Sequence, residues 1–225
     1  MKKLLVVLII AASLVFSSLS FAQEVSNNDN EIAMSMQVPY EKGKLSPLSF
    51  TIGDEAFVKI FSALTVGDVT NLWNDIIVLH RRTNVRTINL FINSPGGDAF
   101  SGLALADKII MAKRLRFTVN GYASGIVASA AVPVLSVCDY RIAAESTIFM
   151  VHETSIWKWP GRETASDIRS QHKLMDLLRD RYLNKLSRHT NLSVSDWEGL
   201  ESKTTWFSAE EAKDWGLVDE IEKEE

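Results

Sequence analysis

Residues 87–110 have the sequence TINLFINSPGGDAFSGLALADKII, and this stretch decides the fold class. Residues 87–92 form a short run rich in apolar and β-branched side chains, which is typical of a buried strand, and Gly96 and Gly97 end it. Apolar residues then recur at helical spacing, at Leu103, Ala106, Ile109 and Ile110. The stretch therefore predicts a strand, a turn and a helix, the repeating unit of α/β proteins.

Similar units lie on both sides of this stretch. Upstream, residues 56–63 suit a strand, and residues 66–82 place their apolar side chains on one helical stripe. Downstream, the pattern predicts a strand over 116–120, a turn at Gly121, a tightly packed helix over 124–131, and strands over 134–142 and 147–152. The alternation indicates one α/β domain, residues 47–225, around a largely parallel sheet.

Capping sequences indicate where three further helices begin. Thr164, Ser193 and Ser208 are each followed, three residues later, by an acidic side chain that completes a capping box. The first of these helices is long and has an apolar face, and Gly216 ends the last one.

The first 22 residues have the features of a secretory signal peptide. Two lysines precede an apolar run over residues 4–16, and Ser20 and Ala22 occupy the −3 and −1 positions of a cleavage site. The run is shorter than the roughly 20 residues that a membrane helix needs, although an uncleaved anchor is the alternative. We expect cleavage after Ala22 and a flexible polar arm over residues 23–46.

Composition excludes several functional classes. The formal net charge is −4 and the sequence pI is near 5.7, so no basic surface for nucleic acid is indicated. A single cysteine, Cys138, excludes an internal disulfide and a cysteine-based zinc site, and the four histidines lack metal-ligand spacing. We expect no metal and no other cofactor.

Three short segments at the ends of predicted strands carry residue types suited to chemistry. Asn93–Gly97 is a Pro-Gly-Gly turn that allows close approach of a ligand backbone. Ser124 follows the turn at Gly121, where its hydroxyl could be presented beside the N–H of Gly125. His152 ends another strand. Each segment taken alone has an ordinary structural explanation, as a tight turn, a helix cap or a structural histidine.

Together these segments resemble the Clp-type serine peptidases. The resemblance covers residues 56–221 and rests on the INSPGG turn, the Ala-Ser-Gly turn, the segment 146–152 and the run SAEEAKDWGLVD at 208–219. It implies a ClpP/crotonase-like spiral of ββα units and subunits assembled into rings, so the expected partners are further copies of this chain.

The resemblance also implies roles for individual residues. Ser124 is the expected nucleophile, His152 its base, and the backbone N–H groups of Gly97 and Gly125 the expected oxyanion donors. Ser129 is a second serine in the same stretch. We rank it below Ser124, because it falls in the predicted helix, where close packing explains a small residue.

The sequence departs from the family at two places. The third member of the triad is an aspartate in the family, and here Thr204 occupies that position, so the enzyme is expected to be slow, to recruit another carboxylate such as Glu153 or Asp180, or to be inactive. The family's glycine-rich handle after the histidine is replaced by the aromatic segment 156–161, IWKWPG. This segment either closes over the core or contributes to subunit contact.

These observations predict an exported, most simply periplasmic, serine endopeptidase. An exported chain meets little ATP, so we expect it to act on peptides or unfolded segments without an ATP-driven unfoldase. The alternatives are a non-catalytic assembly or peptide-binding protein, a signal-peptide-peptidase-like protease with a lysine base, and a crotonase-like acyl-CoA enzyme. Labelling by a fluorophosphonate separates an activated serine from a binding protein.

Overall fold

A computed structural model describes residues 44–82, 84–155 and 164–224. The predicted signal peptide, all but the last three residues of the predicted arm, and the aromatic segment 156–161 lie outside the described residues. In chain order the elements are β1 Ser49–Ile52, β2 Glu55–Ile60, α1 Val66–His80, β3 Thr87–Ser94, α2 Ala99–Arg114, β4 Thr118–Ala128, a 3-10 turn Ser129–Ala131, α3 Val132–Ser136, β5 Tyr140–Ala144, β6 Ile148–Val151, α4 Ala165–His189, α5 Val194–Glu201, β7 Thr205–Phe207, α6 Ala209–Asp214 and β8 Glu220–Glu222.

The sheet has eight strands among the described residues and branches at β4. Its main path runs β1-β2-β3-β4-β5-β8, and β6 pairs with both β4 and β7. The pairs β1–β2 and β6–β7 are antiparallel, whereas all the others are parallel. The first half of β4 pairs with β5 and its second half with β6, so the end of β4 lies beside the end of β6.

The two faces of the main sheet differ. On one face, strand residues such as Leu90 and Ile92 are fully buried in one hydrophobic core with residues of α1, α2 and α3. The other face carries four stacked rings, one from each of β1 to β4, with centroids 5.0–6.2 Å apart: Phe50, Phe57, Phe91 and Tyr122. Phe50 is 43% exposed, so this row forms an aromatic surface.

The prediction for residues 116–142 is wrong in two places. Gly121 does not turn the chain, and residues 124–128 are not helical, because β4 continues to Ala128. Gly121 instead allows close packing, since a Cβ there would lie 2.6 Å from a methyl carbon of Leu135. The predicted strand over 134–142 begins as the short helix α3, which has proline within its first two positions, as expected from the preset φ of this residue.

The remaining elements follow the sequence pattern. The helix predicted over 66–82 is α1, the strand over 87–92 is β3, and the strand over 147–152 is β6. Thr164, Ser193 and Ser208 all form capping boxes at the starts of α4, α5 and α6.

The end of the predicted flexible arm is held against the domain. Ser46 is buried, and its N–H and hydroxyl donate to the two carboxylate oxygens of Asp75, each at 2.7 Å. Asp75 is itself fully buried on α1. Ser46 therefore belongs to the packed domain rather than to an arm.

The longest helix of the described residues, α4, is rich in polar side chains. None of the helices within the described ranges is both long enough and apolar enough to cross a membrane.

Candidate active site

The turn after β3 is pressed against the chain that follows β4. Gly96 has a φ of 94°, which disfavours any residue with a side chain. A Cβ at Gly96 would lie 2.7 Å from the Cβ of Ser129 and 2.7 Å from the carbonyl oxygen of Ala128. A glycine at position 96 is therefore required for this turn to lie against Ser129.

Gly97 directs a backbone N–H toward the cleft beside this turn. The carbonyl of Gly96 accepts from the N–H of Leu64 at 2.7 Å. The described residues contain no cis peptide, and in a trans peptide the next N–H points to the opposite side. Gly97 lines the cleft, and no hydrogen bond among the described residues uses its N–H. This group is available to an incoming oxygen atom.

Ser129 lies on a strained turn between β4 and α3. Its φ is 52°, a left-handed value that is uncommon for a residue other than glycine. Such strain is found where the surrounding structure holds a side chain in a required position. Ser129 also begins the 3-10 turn, so the N–H of Ala130 has no acceptor within that turn.

A cleft of about 650 Å³ joins the ends of β3, β4 and β6. It brings together Gly97, Ser129 and His152, which come from three different strand ends. Most of the remaining wall is apolar and includes Phe100, Leu103, Pro133, Leu174 and Leu178. A serine, a histidine and a free backbone N–H thus face one cavity, which is the arrangement that acyl transfer requires.

Tyr182 connects α4 to the serine turn. Its hydroxyl donates to the backbone carbonyl of Ser129 at 3.2 Å, and the ring lines the same cleft. Burial, and next the negative charge of Glu201, raise the pKa of Tyr182, so the phenol keeps the proton that it donates. The long helix therefore supports the turn directly.

Thr204 lies next to the residue that pairs with the neighbour of His152. In the antiparallel β6–β7 pair, Val151 faces Thr205, and the printed pairing stops there, one residue short of His152 and of Thr204. Thr204 has a φ of 51° and is exposed. Thr204 therefore lies at the end of β7 nearest the strand end that carries His152, and its side chain has no charge.

The structure does not bring Ser124 to the cleft, and this corrects its assignment as the nucleophile. Ser124 lies within β4, on the exposed face opposite the buried Ala123 and Val127. It precedes Ser129 by five residues, or roughly 16 Å of extended chain. Sequence reasoning ranked the two serines by an expected helix that does not form.

Gly125 is also placed elsewhere. Its φ is 66°, and a Cβ there would lie 2.9 Å from the side-chain oxygen of Asn93, which accepts from the N–H of Ile126. Gly125 therefore accommodates a bulge between β3 and β4 rather than a substrate oxygen, and it is not among the residues that line the cleft.

Neither carboxylate suggested as a substitute for the missing aspartate is buried. Glu153 and Asp180 are both exposed. The buried carboxylate near this end of the sheet is Glu201, which the sequence reasoning missed. Its burial could have been inferred from the helical spacing, because Glu201 follows the fully buried Trp197 by four residues and so shares the apolar face of α5.

Cys138 does not compete as a nucleophile. Burial raises the pKa of its thiol to about 12, so the reactive thiolate does not form at neutral pH.

Comparisons with known proteins agree with the fold and identify the family. A family model described as Clp protease matches residues 49–225. Similar curated proteins include three ATP-dependent Clp protease proteolytic subunits. Subunit 1 of Salinibacter ruber is 31% identical over 152 residues, 66% of this chain and 62% of that protein. Subunit 2 of Thermobifida fusca is 30% identical over 65% of this chain and 70% of its own length. Subunit 2 of Corynebacterium glutamicum is 30% identical over 72% and 80%.

Among solved structures, a mutant of ClpP1 from Listeria monocytogenes matches with a TM-score of 0.64 and 25% sequence identity, over 75% of this chain and 91% of that one. The predicted α/β fold and the predicted resemblance are confirmed. The chain belongs to the Clp protease family, a family of serine-type peptidases.

Proposed function

We propose that this chain is an exported serine endopeptidase in which Ser129 is the nucleophile and His152 the general base. One observation carries the proposal: the left-handed turn at Ser129 places this serine in the same cleft as His152 and the free N–H of Gly97. Ser129 thus takes the role that the sequence reasoning gave to Ser124.

The proposed reaction is acyl transfer to water. The imidazole of His152 removes the hydroxyl proton of Ser129 while the serine oxygen attacks the carbonyl carbon of the substrate. The N–H groups of Gly97 and Ala130 donate to the oxyanion of the tetrahedral intermediate. His152 then passes the proton to the leaving amine, and a water molecule hydrolyses the acyl-enzyme by the same steps.

The cleft wall indicates the kind of substrate. Phe100, Leu103 and Leu178 surround the space next to Ser129. An apolar side chain of the substrate that binds there is removed from water, which favours binding by about 25 cal/mol per Å² of buried apolar surface. We therefore expect cleavage next to apolar residues in peptides or unfolded segments.

Labelling with a fluorophosphonate tests the nucleophile. We expect the label on Ser129, loss of labelling and of peptide hydrolysis in Ser129→Ala, and no such loss in the matched variant Ser124→Ala. Label on Ser124 would refute the assignment. A folded parent protein that takes no label at any serine would favour the non-catalytic, peptide-binding alternative.

Export is proposed from the sequence of the first 22 residues, and it implies a periplasmic enzyme that works without an ATP-driven unfoldase. The mass of the protein from the exported fraction should match a chain that begins at Gln23. A species that retains Met1 and stays with the membranes would contradict this proposal.

We also propose that the protein forms a homo-oligomeric ring of six or seven subunits, by analogy with the family. The exposed aromatic row on β1 to β4 and the exposed apolar side chains of α4, Ile168 and Leu177, support subunit contact. Light scattering should give the mass of the ring. A monomer at all micromolar concentrations would refute it.

A further inference from the structure

Glu201 is a buried carboxylate whose hydrogen bonding is incomplete. Its side chain is 1% exposed. The Oε2 atom accepts from Nε of Arg179 at 2.9 Å, whereas Oε1 has no hydrogen-bond partner among the described residues. A buried oxygen that is left unsatisfied destabilises the folded protein, and more so when it is charged, so its presence requires an explanation.

The surroundings of Glu201 disfavour its charged form. Burial raises its pKa, Arg179 lowers it in part, and the charges of Glu153 and Glu198 raise it further. A carboxyl group whose pKa is raised on folding destabilises the protein when charged, and this cost is relieved only as the pH falls. Glu198 differs, because it pairs with Nη1 of the same Arg179 at 2.9 Å while half exposed.

The position of Glu201 links it to both sides of the cleft. Its backbone carbonyl accepts from the N–H of Thr204 at 3.1 Å, so it belongs to the turn that leads into β7, whose Thr205 pairs with Val151 next to His152. Its negative charge also acts on Tyr182, the residue that donates to the carbonyl of Ser129. Glu201 is therefore linked through Thr204 to the strand beside the histidine and through Tyr182 to the serine turn.

We propose that Glu201 is a positioning residue that supplies the buried negative charge that Thr204 lacks at the end of β7 nearest His152. The inference rests on the proposed function of Ser129 and His152. When the imidazole accepts the serine proton it becomes a cation, and a fixed anion in a region of low dielectric stabilises that cation. The hydroxyl of Thr204 carries no charge for this purpose.

Other charged groups around Glu201 and the cleft do not replace it. Arg179 on α4 opposes its charge in part, and Glu198, which lies on α5 together with Glu201, is half exposed. Glu153 after β6 and Asp98 at the start of α2 are exposed, so water screens them. Glu201 is the carboxylate that burial protects from screening.

Two matched substitutions test the inference. Glu201→Gln keeps the shape and an acceptor for Arg179 but removes the charge, whereas Glu198→Gln removes the exposed carboxylate from the same arginine. For Glu201→Gln we expect kcat/KM to fall about 10- to 100-fold, less than the roughly 10⁴-fold loss when a triad aspartate in contact with the imidazole is neutralised. The loss should appear in kcat rather than in KM. Glu198→Gln should retain the parental activity.

A rescue experiment separates an electrostatic role from a merely structural one. Adding Thr204→Asp to Glu201→Gln should restore most of the lost activity, since it returns a carboxylate to the end of β7 beside the strand end that carries His152. No rescue by Thr204→Asp would overturn the inference.

The outcome is distinguishable from failure of the proposed function. If the parent protein is labelled at Ser129 and Glu201→Gln is labelled at the same rate, only the role of Glu201 is refuted. If Ser129 takes no label in the parent, the proposed function itself fails. Should Glu201→Gln not fold, the double variant Glu201→Gln/Arg179→Gln removes both charges, and parental kcat/KM in that folded variant would also overturn the inference.

Discussion

Replacing Gly96 by alanine should destabilise the domain and inactivate the site together. The backbone strain of a non-glycine residue at a φ of 94° costs about 1–3 kcal/mol. The new Cβ would also lie 2.7 Å from the Cβ of Ser129 and from the carbonyl oxygen of Ala128, and relief of such overpacking costs a further 1–3 kcal/mol or so. We therefore expect a loss of about 2–6 kcal/mol, or roughly 5–20 °C in Tm for a domain of this size.

Gly53→Ala is the matched control for this substitution. Gly53 also has a left-handed φ, 61°, but a Cβ there would meet nothing within 4 Å. Gly53→Ala should therefore lower the free energy of unfolding only by the backbone strain, about 1–2 kcal/mol, and should leave fluorophosphonate labelling unchanged. Thermal and urea unfolding of both variants, with the labelling rate of each, measure the difference. Equal stability losses in the two variants, with labelling retained in Gly96→Ala, would refute the close approach of the two turns.

Two other predictions follow from single contacts. Tyr182→Phe should lower the free energy of unfolding by about 0.5–1.5 kcal/mol, because one hydrogen bond is lost, and should slow labelling of Ser129 several-fold. The control variant Tyr140→Phe, on β5, should be labelled at the parental rate. Equal labelling rates in the two variants would contradict the role of α4. Burial raises the pKa of Asp219, but hydrogen bonds and charge from Arg141 outweigh it and lower the pKa overall. The stability gained from the Arg141–Asp219 pair is present above the ordinary aspartate pKa of about 4 and is lost as the pH falls. Asp219→Asn should therefore lower Tm clearly at pH 7 and much less at pH 3. An equal fall in Tm at the two pH values would argue against the pair.

Long periodic elements and helix caps could be predicted from the sequence, because they depend on local physical rules. The capping side chains of Thr164 and Ser208 satisfy backbone N–H groups three residues away, and this spacing is visible in the sequence. The Pro-Gly-Gly turn and His152 were identified in the same way.

The serine could not be chosen correctly by local rules. Gly121 suggested a turn before Ser124, and Gly125 suggested an oxyanion donor after it, but each glycine makes room for a side chain that is distant in sequence, Leu135 and Asn93 respectively. Small residues near Ser129 suggested a helix, whereas pairing with β3 and β6 keeps the chain extended up to Ala128. Tertiary contacts overrode the local pattern here.

The pairing of β7 with β6 also sets the order in which the site is completed during synthesis. His152 follows β6, and the strand that closes the edge of β6 is supplied by Thr205–Phe207, far downstream in the chain. Until those residues emerge, a nascent chain already carries Ser129 and His152 but lacks the turn that leads into β7 and the carboxylate of Glu201. Non-local pairings of this kind form late in folding. The site is therefore expected to be complete only after the last strands have been added.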